Sequence, residues 1–424
     1  MTVPDDDVVV AVAQAHRSEW GVVLAAVARL LDGDLGTAEE CTQEAFEAAL
    51  RTWGERGIPT RPGAWLTTTA KNRALDRGRR ETAMRARYPD LVRDEAEPEP
   101  EEDDVLVDDR LRLVFTCCHP ALAPEARIAL TLRLICGLTT EEIARAFLVP
   151  EPTMAARITR SKKKIAAAAI PYRVPAVDDL PERLDGVLTV IHLVFTAGYT
   201  GAGDRLVRDD LVDRALDLAR VLAVLMPEEP EALGLLALLE LTDARRAARV
   251  DDVGRLVVLE DQDRSLWDAA AIARGDALLA RGFTLALRTD APPGRFLLQA
   301  AIAGAHDEAT SWAATDWAGI VMLYNRLRAA WPSPVVDVNR AVAVAFARSP
   351  EEGLAILDGL EGLAELRGWH YLPAARADLL RRLGRRDEAA GAYTAALALV
   401  SDGAERAFLR RRLAEVGGPA PDGS

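Results

Sequence analysis

Two short segments hold all four lysines of the chain, Lys71 in one and Lys162, Lys163 and Lys164 in the other. In the first, between Lys71 and Arg87, seven bases (Lys71, Arg73, Arg77, Arg79, Arg80, Arg85, Arg87) stand against two acids (Asp76, Glu81), a net charge of +5 on one helical stretch. That density attracts a phosphate backbone, Asn72 within it can hydrogen-bond a base, and an aromatic beside an unstacked base would hold it by stacking. Taken alone, a basic helix is more often a solvated face than a nucleic-acid site.

The second segment is more specific. Thr139 and Glu142 have the spacing of a capping box, in which the hydroxyl accepts from the backbone N–H three residues on and the carboxylate reaches back, so a helix is predicted to start there. Ile143, Ala144 and Phe147 then face a core, Val149-Pro150-Glu151 makes a tight break, and a second helix is predicted from Thr153. Its buried stripe is Met154, Ile158 and Ile165, which leaves Arg157, Arg160 and Lys164 on another face. Two helices so joined make a helix-turn-helix. A recognition helix needs small residues early, to approach base edges, and cations later, to hold phosphates. Thr153, Ala156 and Arg157 meet the first need, and Arg160, Lys162 and Lys163 the second. The plainer alternative is a solvated basic helix in a hairpin, but here caps, turn and charge agree.

These segments sit in a chain of 424 residues with a formal net charge of -14. Its far field repels phosphate, which excludes a protein that coats nucleic acid indiscriminately and confines DNA binding to local patches. Half the residues are hydrophobic and only 5% aromatic, so burial relies on Ala, Leu and Val, and an all-α fold of several domains is expected. No run of about 18 uncharged apolar residues appears. The N-terminus, with Asp5, Asp6 and Asp7, is acidic where a signal peptide would be basic, so a cytoplasmic protein without a membrane segment is expected.

Cys41, Cys117, Cys118 and Cys136 are too few and too irregular for a disulfide framework. Cys117-Cys118-His119 is the one cluster that suggests a metal. Adjacent cysteines are poorly placed to share an ion with the next His, and no second pair follows at zinc spacing, so buried thiols are expected and no metal. The five histidines are scattered. There is no phosphate-binding glycine loop and no nucleophile elbow, and the Gly-rich stretch 195–204 follows no predicted strand. No catalytic residue and no cofactor are expected.

From Val8 to about Trp53 apolar residues recur at helical spacing, broken at 32–36, with Thr37 placed to cap the second helix of an antiparallel pair. The stretch 54–63, with three glycines and two prolines, reads as a loop before a third helix from about Ala64 to Arg87. Between Asp90 and Asp109 eleven acids meet one base, Arg93, a run that cannot bury enough apolar surface to order itself and reads as a flexible linker. A second helical unit spans Arg110 to about Ile165, and 170–175 marks a boundary. The remainder is helical, with breaks near Pro227–Pro230, 290–294 and 331–334. From Val335 it forms helix pairs. Segments beginning at Ser349 and Leu383 lie about 34 residues apart, the period of a tetratricopeptide hairpin, though ordinary packed helices account for them equally.

Thr37 through Phe46, then Trp65-Leu66, then Asn72-Arg73-Ala74-Leu75-Asp76-Arg77, resemble region two of an extracytoplasmic-function (ECF) sigma factor of the RNA polymerase sigma-70 family, and the helix-turn-helix resembles region four. The resemblance covers roughly residues 8–168. It implies that Glu40, Gln43 and Glu44 dock on the clamp coiled coil of the polymerase beta-prime subunit. It implies that Lys71, Asn72, Arg73 and Arg77 read and melt the minus 10 element, with the loop 54–63 holding a flipped base, and that Thr153, Arg157 and Arg160 read the minus 35 element. Arg79, Arg80, Ala156, Lys162 and Lys163 join them as DNA contacts by charge and position. The implied partners are core RNA polymerase, through its beta-prime clamp and beta flap, and promoter DNA. The implied domains are region two at 1–88, the acidic linker at 89–109, region four at 110–169, a helical extension at 170–290 and a tetratricopeptide-like domain at 291–424.

Two departures stand out. Cys41-Thr42 occupies a place where the family shows two aliphatics, which makes that helix face less apolar. The long extension is absent from ordinary members and resembles that of the subgroup with a tetratricopeptide-like C-terminal domain, through 295–303 and 334–343. A sigma factor that binds core polymerase and directs promoter recognition, melting and initiation is therefore expected. A one-component helix-turn-helix regulator would leave the docking helix superfluous, and a tetratricopeptide scaffold would leave both basic helices unexplained. From Ile170 onward acids exceed bases by nine. The extension either covers and gates the basic helices or contributes positively, by contacting polymerase or holding the fold.

Overall fold

Apolar residues at intervals of three and four dictate helices through most of the chain. In the computed structural model, which describes residues 6–85, 109–147, 149–176, 178–200, 207–400 and 403–417, the fold is all α. Among the described residues the β-type pairing is a lone bridge between Val250 and Leu256. The acidic run 89–108 and the glycines of 201–203 lie outside the described residues.

Helices α1 (Asp6–Leu30) and α2 (Leu35–Arg56) are joined by a turn in which Asp32 and Gly33 take φ of 48° and 83°. The cap of α2 is Asp34 rather than Thr37. Its carboxylate accepts from the backbone N–H of Gly36 (3.0 Å) and Thr37 (3.1 Å), which starts the helix at Leu35 and leaves Thr37 within the first turn. Helix α3 (Pro62–Arg85) begins earlier than Ala64, because proline in a first turn lacks only an N–H that would have no partner there.

Asp109, assigned to the linker by its charge, instead opens α4 (Asp109–Cys117), where a first-turn acid suits the helix dipole. Next come α5 (Pro124–Leu130), which runs on into a π turn at Thr131–Ile135, then α6 (Thr140–Ala146) and α7 (Glu151–Ala167). The capping box forms as predicted: Thr139 Oγ1 accepts from Glu142 N at 3.2 Å and the Glu142 carboxylate accepts from Thr139 N at 2.7 Å. Met154, Ile158 and Ile165 are buried. Helix α7 starts two residues before Thr153, with Pro152 in its first turn, again where a missing N–H costs nothing.

The chain divides into two compact units, Met1–Leu193 and Val194–Ser424, with α8 (Leu180–Tyr199) running through the division. The first unit continues past Pro171 because two later side chains tie back to it. The Tyr172 hydroxyl donates to the carbonyls of Ala25 (3.1 Å) and Asp109 (3.2 Å), and Arg183 donates to that of Phe115 (2.7 Å).

The second unit holds α9 (Asp209–Leu225), α10 (Pro230–Asp243), α11 (Ala269–Arg288), α12 (Arg295–Asp307), α13 (Trp317–Ala330), α14 (Pro334–Ala347), α15 (Pro350–Asp358), α16 (Tyr371–Arg382), α17 (Arg386–Leu399) and α18 (Gly403–Gly417). Helix α10 is buried throughout Ala232–Leu241, as an all-round apolar helix must be. Its one buried carboxylate, Glu240, is matched by Arg220 (2.8 Å) and Arg274 (2.9 Å). Successive helices from α14 to α18 pack on one another around Ala341, Leu357, Leu379 and Tyr393.

Candidate nucleic-acid interface

The basic helix α3 lies against α2, and their opposite charges meet. Arg77 donates to Glu40 and to Glu44, each at 2.5 Å, and Arg73 lies 3.7 Å from Glu44. These contacts raise the Arg77 pKa, so its charge is fixed. Lys71, Asn72, Arg79 and Arg80 are exposed, with Arg79 at 3.5 Å from Asp76. Two of the four residues expected at the minus 10 element, Arg73 and Arg77, thus lie against two of the three residues expected to dock on polymerase, Glu40 and Glu44, and the two sets form one mixed surface. Cys41 and Thr42, on the buried face of α2, do not weaken it: both are fully buried, and the Thr42 hydroxyl donates to the Ala38 carbonyl at 2.8 Å.

On α7, Thr153, Ala156, Arg160 and Lys163 are exposed, and Arg157, half-buried, lies over the Phe147 ring at 5.6 Å. Lys162 turns the other way. Its ammonium pairs with the buried Glu39 carboxylate of α2, which Arg133 of the π turn also grips at 2.5 Å. Helix α7 and the π turn are thereby tied to α2.

Backbone fit makes this contact close. A Cβ on Gly21 of α1 would lie 2.6 Å from the Ile135 carbonyl oxygen, and one on Gly137, whose φ is 71°, would lie 2.9 Å from both His16 and Trp20. Beside the contact is a cleft of about 640 Å³ lined by His16, Trp20, Gln43 and Phe46 from one side and by Thr139, Thr140 and Glu151 from the other. Gln43, the third residue expected to dock, is exposed on this cleft and lies 3.5 Å from Glu47.

Cys117 and Cys118 are buried at the end of α4, as expected, and burial pushes the Cys118 thiol up to about 11. Among the described residues no three His, Cys, Asp or Glu side chains converge in a metal-binding group, and no helix is long and apolar enough to cross a membrane.

Three family profiles match the chain in order: sigma-70 region 2 over residues 19–84, sigma-70 region 4 over residues 112–165, and a family of unknown function, DUF6596, over residues 183–283. The chain is 43% identical over 387 residues to the uncharacterized protein R00370 of Rhizobium meliloti (strain 1021), covering 90% of each chain. It is 29% identical over 175 residues to the probable ECF RNA polymerase sigma factor SigI of Mycobacterium tuberculosis, covering 39% of this chain and 56% of that one. The chain belongs to the ECF/sigma-70 family. No solved structure matches it.

The region two match thus runs from within α1 through α3, and the region four match from within α4 into α7. The extension is part of a shared architecture, since the R. meliloti relative matches across nearly its whole length. Sequence reasoning missed the residues that join the two regions: Gly21, Glu39, Arg133 and Gly137. A signal was present for Glu39. Leu35, Glu39, Thr42 and Phe46 fall at spacings of four, three and four, which places a carboxylate on the buried stripe of α2 and demands a cation from elsewhere in the fold.

Proposed function

We propose that this sigma factor docks on core RNA polymerase through Glu40, Gln43 and Glu44 of α2 and uses two helices on the promoter. Lys71, Asn72, Arg73, Arg77, Arg79 and Arg80 of α3 bind and melt the minus 10 element. Thr153, Ala156, Arg157, Arg160, Lys162 and Lys163 of α7 read the minus 35 element. The observation that carries this reading is the pair of basic helix faces, one in each matched region, with an acidic face beside the first. No covalent step is required. Phosphate contacts and polymerase docking supply the few kcal/mol that unstacking a base costs.

The packed arrangement of regions two and four is the resting form in this reading. The two promoter elements lie about 25 base pairs apart, about 85 Å of B-form DNA, whereas Glu39 of region two touches Lys162 of region four. Engagement of both elements therefore requires the regions to separate, and docking on α2 is what drives it. The extension, with tetratricopeptide-like hairpins in α14 to α17, regulates or supports this step. The test is transcription with purified full-length chain and core polymerase on a genomic promoter library. Selective initiation at sites sharing minus 35 and minus 10 sequences is expected; soluble protein that neither retains core polymerase nor directs initiation would overturn the proposal.

A further inference from the structure

A cavity of about 340 Å³ opens in the second unit among α14, α16, α17, α18 and the segment 258–260. Its floor is apolar, with Val338, Leu379 and Leu409 buried. Its walls are aromatic: Phe346 meets Trp312 edge-on at 5.0 Å, and Tyr371 and Phe408 complete the lining. The charges around it are already matched. Arg382, over the Phe346 ring at 4.5 Å, is bound by Asp378 (2.7 Å) and Glu260, and Arg412 by Glu415 (3.0 Å) and Asp261 (3.6 Å). Neither an anion nor a cation would therefore meet an unmatched opposite charge.

Two buried donors are nonetheless left without an acceptor. The Tyr393 hydroxyl, 1% exposed, sits beside the Arg381 and Arg412 guanidinium groups, which can donate to its oxygen but have no lone pair to accept its proton, and the Arg412 Nε–H likewise has no acceptor. Buried polar groups are nearly always satisfied, and an apolar cavity of a few hundred cubic ångströms with a few converging polar atoms is the usual form of a small-molecule site. At the mouth, the exposed Asn339 contributes its amide to the lining.

We propose that this cavity binds a neutral, largely apolar small molecule with an aromatic or alicyclic body and one acceptor oxygen, which takes the hydrogen bonds of the Tyr393 hydroxyl and the Arg412 Nε–H. The site stands independently of the promoter reading, and its test involves neither polymerase nor DNA. The probe is 6-propionyl-2-(dimethylamino)naphthalene, a neutral naphthyl ketone whose emission moves to the blue on leaving water, with 2-(dimethylamino)naphthalene as its counterpart without the ketone.

The full-length chain is expected to bind the ketone saturably at one site. Val342→Trp, which fills the cavity, and Asn339→Trp, which covers its mouth from an exposed position, are expected to abolish that binding. Tyr393→Phe is expected to weaken the ketone about fivefold and to leave its counterpart unchanged. Should Val342→Trp fail to fold by circular dichroism, Asn339→Trp decides. Non-saturating binding, ketone binding unchanged in a folded Trp variant, or equal weakening of both probes by Tyr393→Phe would overturn the proposal.

Discussion

The Glu39 carboxylate of region two holds the Lys162 ammonium of region four, so a side chain proposed to neutralise DNA phosphate is neutralised within the protein. Glu39 is buried, while Lys162 and Arg133 are each about a fifth exposed. Removing one partner of a fully buried pair costs about 3–5 kcal/mol, and partial exposure of the cations lowers that here. Lys162→Met should therefore destabilise the chain by about 2 kcal/mol. Combining it with Glu39→Gln should recover part of the loss, because the buried carboxylate that Arg133 alone must then balance is gone. A double-mutant cycle on thermal unfolding checks this, and strictly additive losses would mean that the pair contributes no coupling.

The Gly21 contact offers a way to separate the regions without touching a charged residue. Valine at position 21 would drive a Cβ to within 2.6 Å of the Ile135 carbonyl, a distance real side chains do not tolerate, while the helix itself keeps its hydrogen bonds. All four native thiols are buried, so labels on cysteines introduced at Arg79 and Lys163 would report selectively. Gly21→Val is expected to lengthen and broaden the distance between those labels and to leave core polymerase binding intact. Superimposable distance distributions for the variant and the parent would rule out the contact as what holds the regions together.

Arg77 binds Glu40 and Glu44 at once, which ties the face of α2 proposed for docking to the helix α3 proposed for melting. Arg77→Ala should release both carboxylates, so core polymerase affinity is expected to hold or rise while open-complex formation falls by about tenfold, the loss of one charge-assisted contact. A template already mismatched at minus 10 should restore the rate. If core affinity falls instead, the pair serves to shape α2 for docking.

Much of the DNA-binding half was legible because its signals are local. The capping box at Thr139 and Glu142 and the stripe Met154, Ile158, Ile165 depend on residues within one or two turns, and both form as read. The start of α2 went astray for a related reason: two capping candidates, Asp34 and Thr37, lie in one turn, and spacing alone does not rank them. What joins regions two and four was not legible. The partners of Glu39 lie 94 and 123 residues away, and the demand for glycine at positions 21 and 137 comes from a neighbour's backbone and side chains. The cavity in the second unit draws on residues from 258 to 412, so no periodicity within one helix reveals it.

In the second unit, burial and the nearby charges of Arg245 and Arg264 push His306 down to about 4, while burial raises its neighbour Asp307 to about 6 despite Arg245. The signs oppose. The unfolded chain takes the His306 proton first, so that contribution to stability is complete above about pH 6.5 and is lost as pH falls towards about 4. The Asp307 contribution is complete below about pH 4 and is lost as pH rises through about 6. His306→Gln removes only the first. Its stability relative to the parent should improve by up to about 3 kcal/mol between pH 7 and pH 4, measured by thermal unfolding. A difference that does not vary with pH would show that His306 does not titrate as its burial requires.

Arg157 lies over the Phe147 ring at 5.6 Å on the early part of α7, where Thr153 is exposed, whereas Lys163 is exposed on a later turn; the proposal gives the first a base edge and the second a phosphate. The two should fail differently. Arg157→Ala is expected to cost about 1–3 kcal/mol and to relax preference at one position of the minus 35 element. Lys163→Ala should weaken all promoters alike and reduce the salt slope by about one unit. Neither should alter binding of core polymerase with sigma to a single-stranded minus 10 oligonucleotide, which engages region two alone. Competition binding across a set of singly substituted minus 35 sites at two salt concentrations separates the roles. If both variants weaken every site equally, α7 holds the backbone and sequence is read elsewhere.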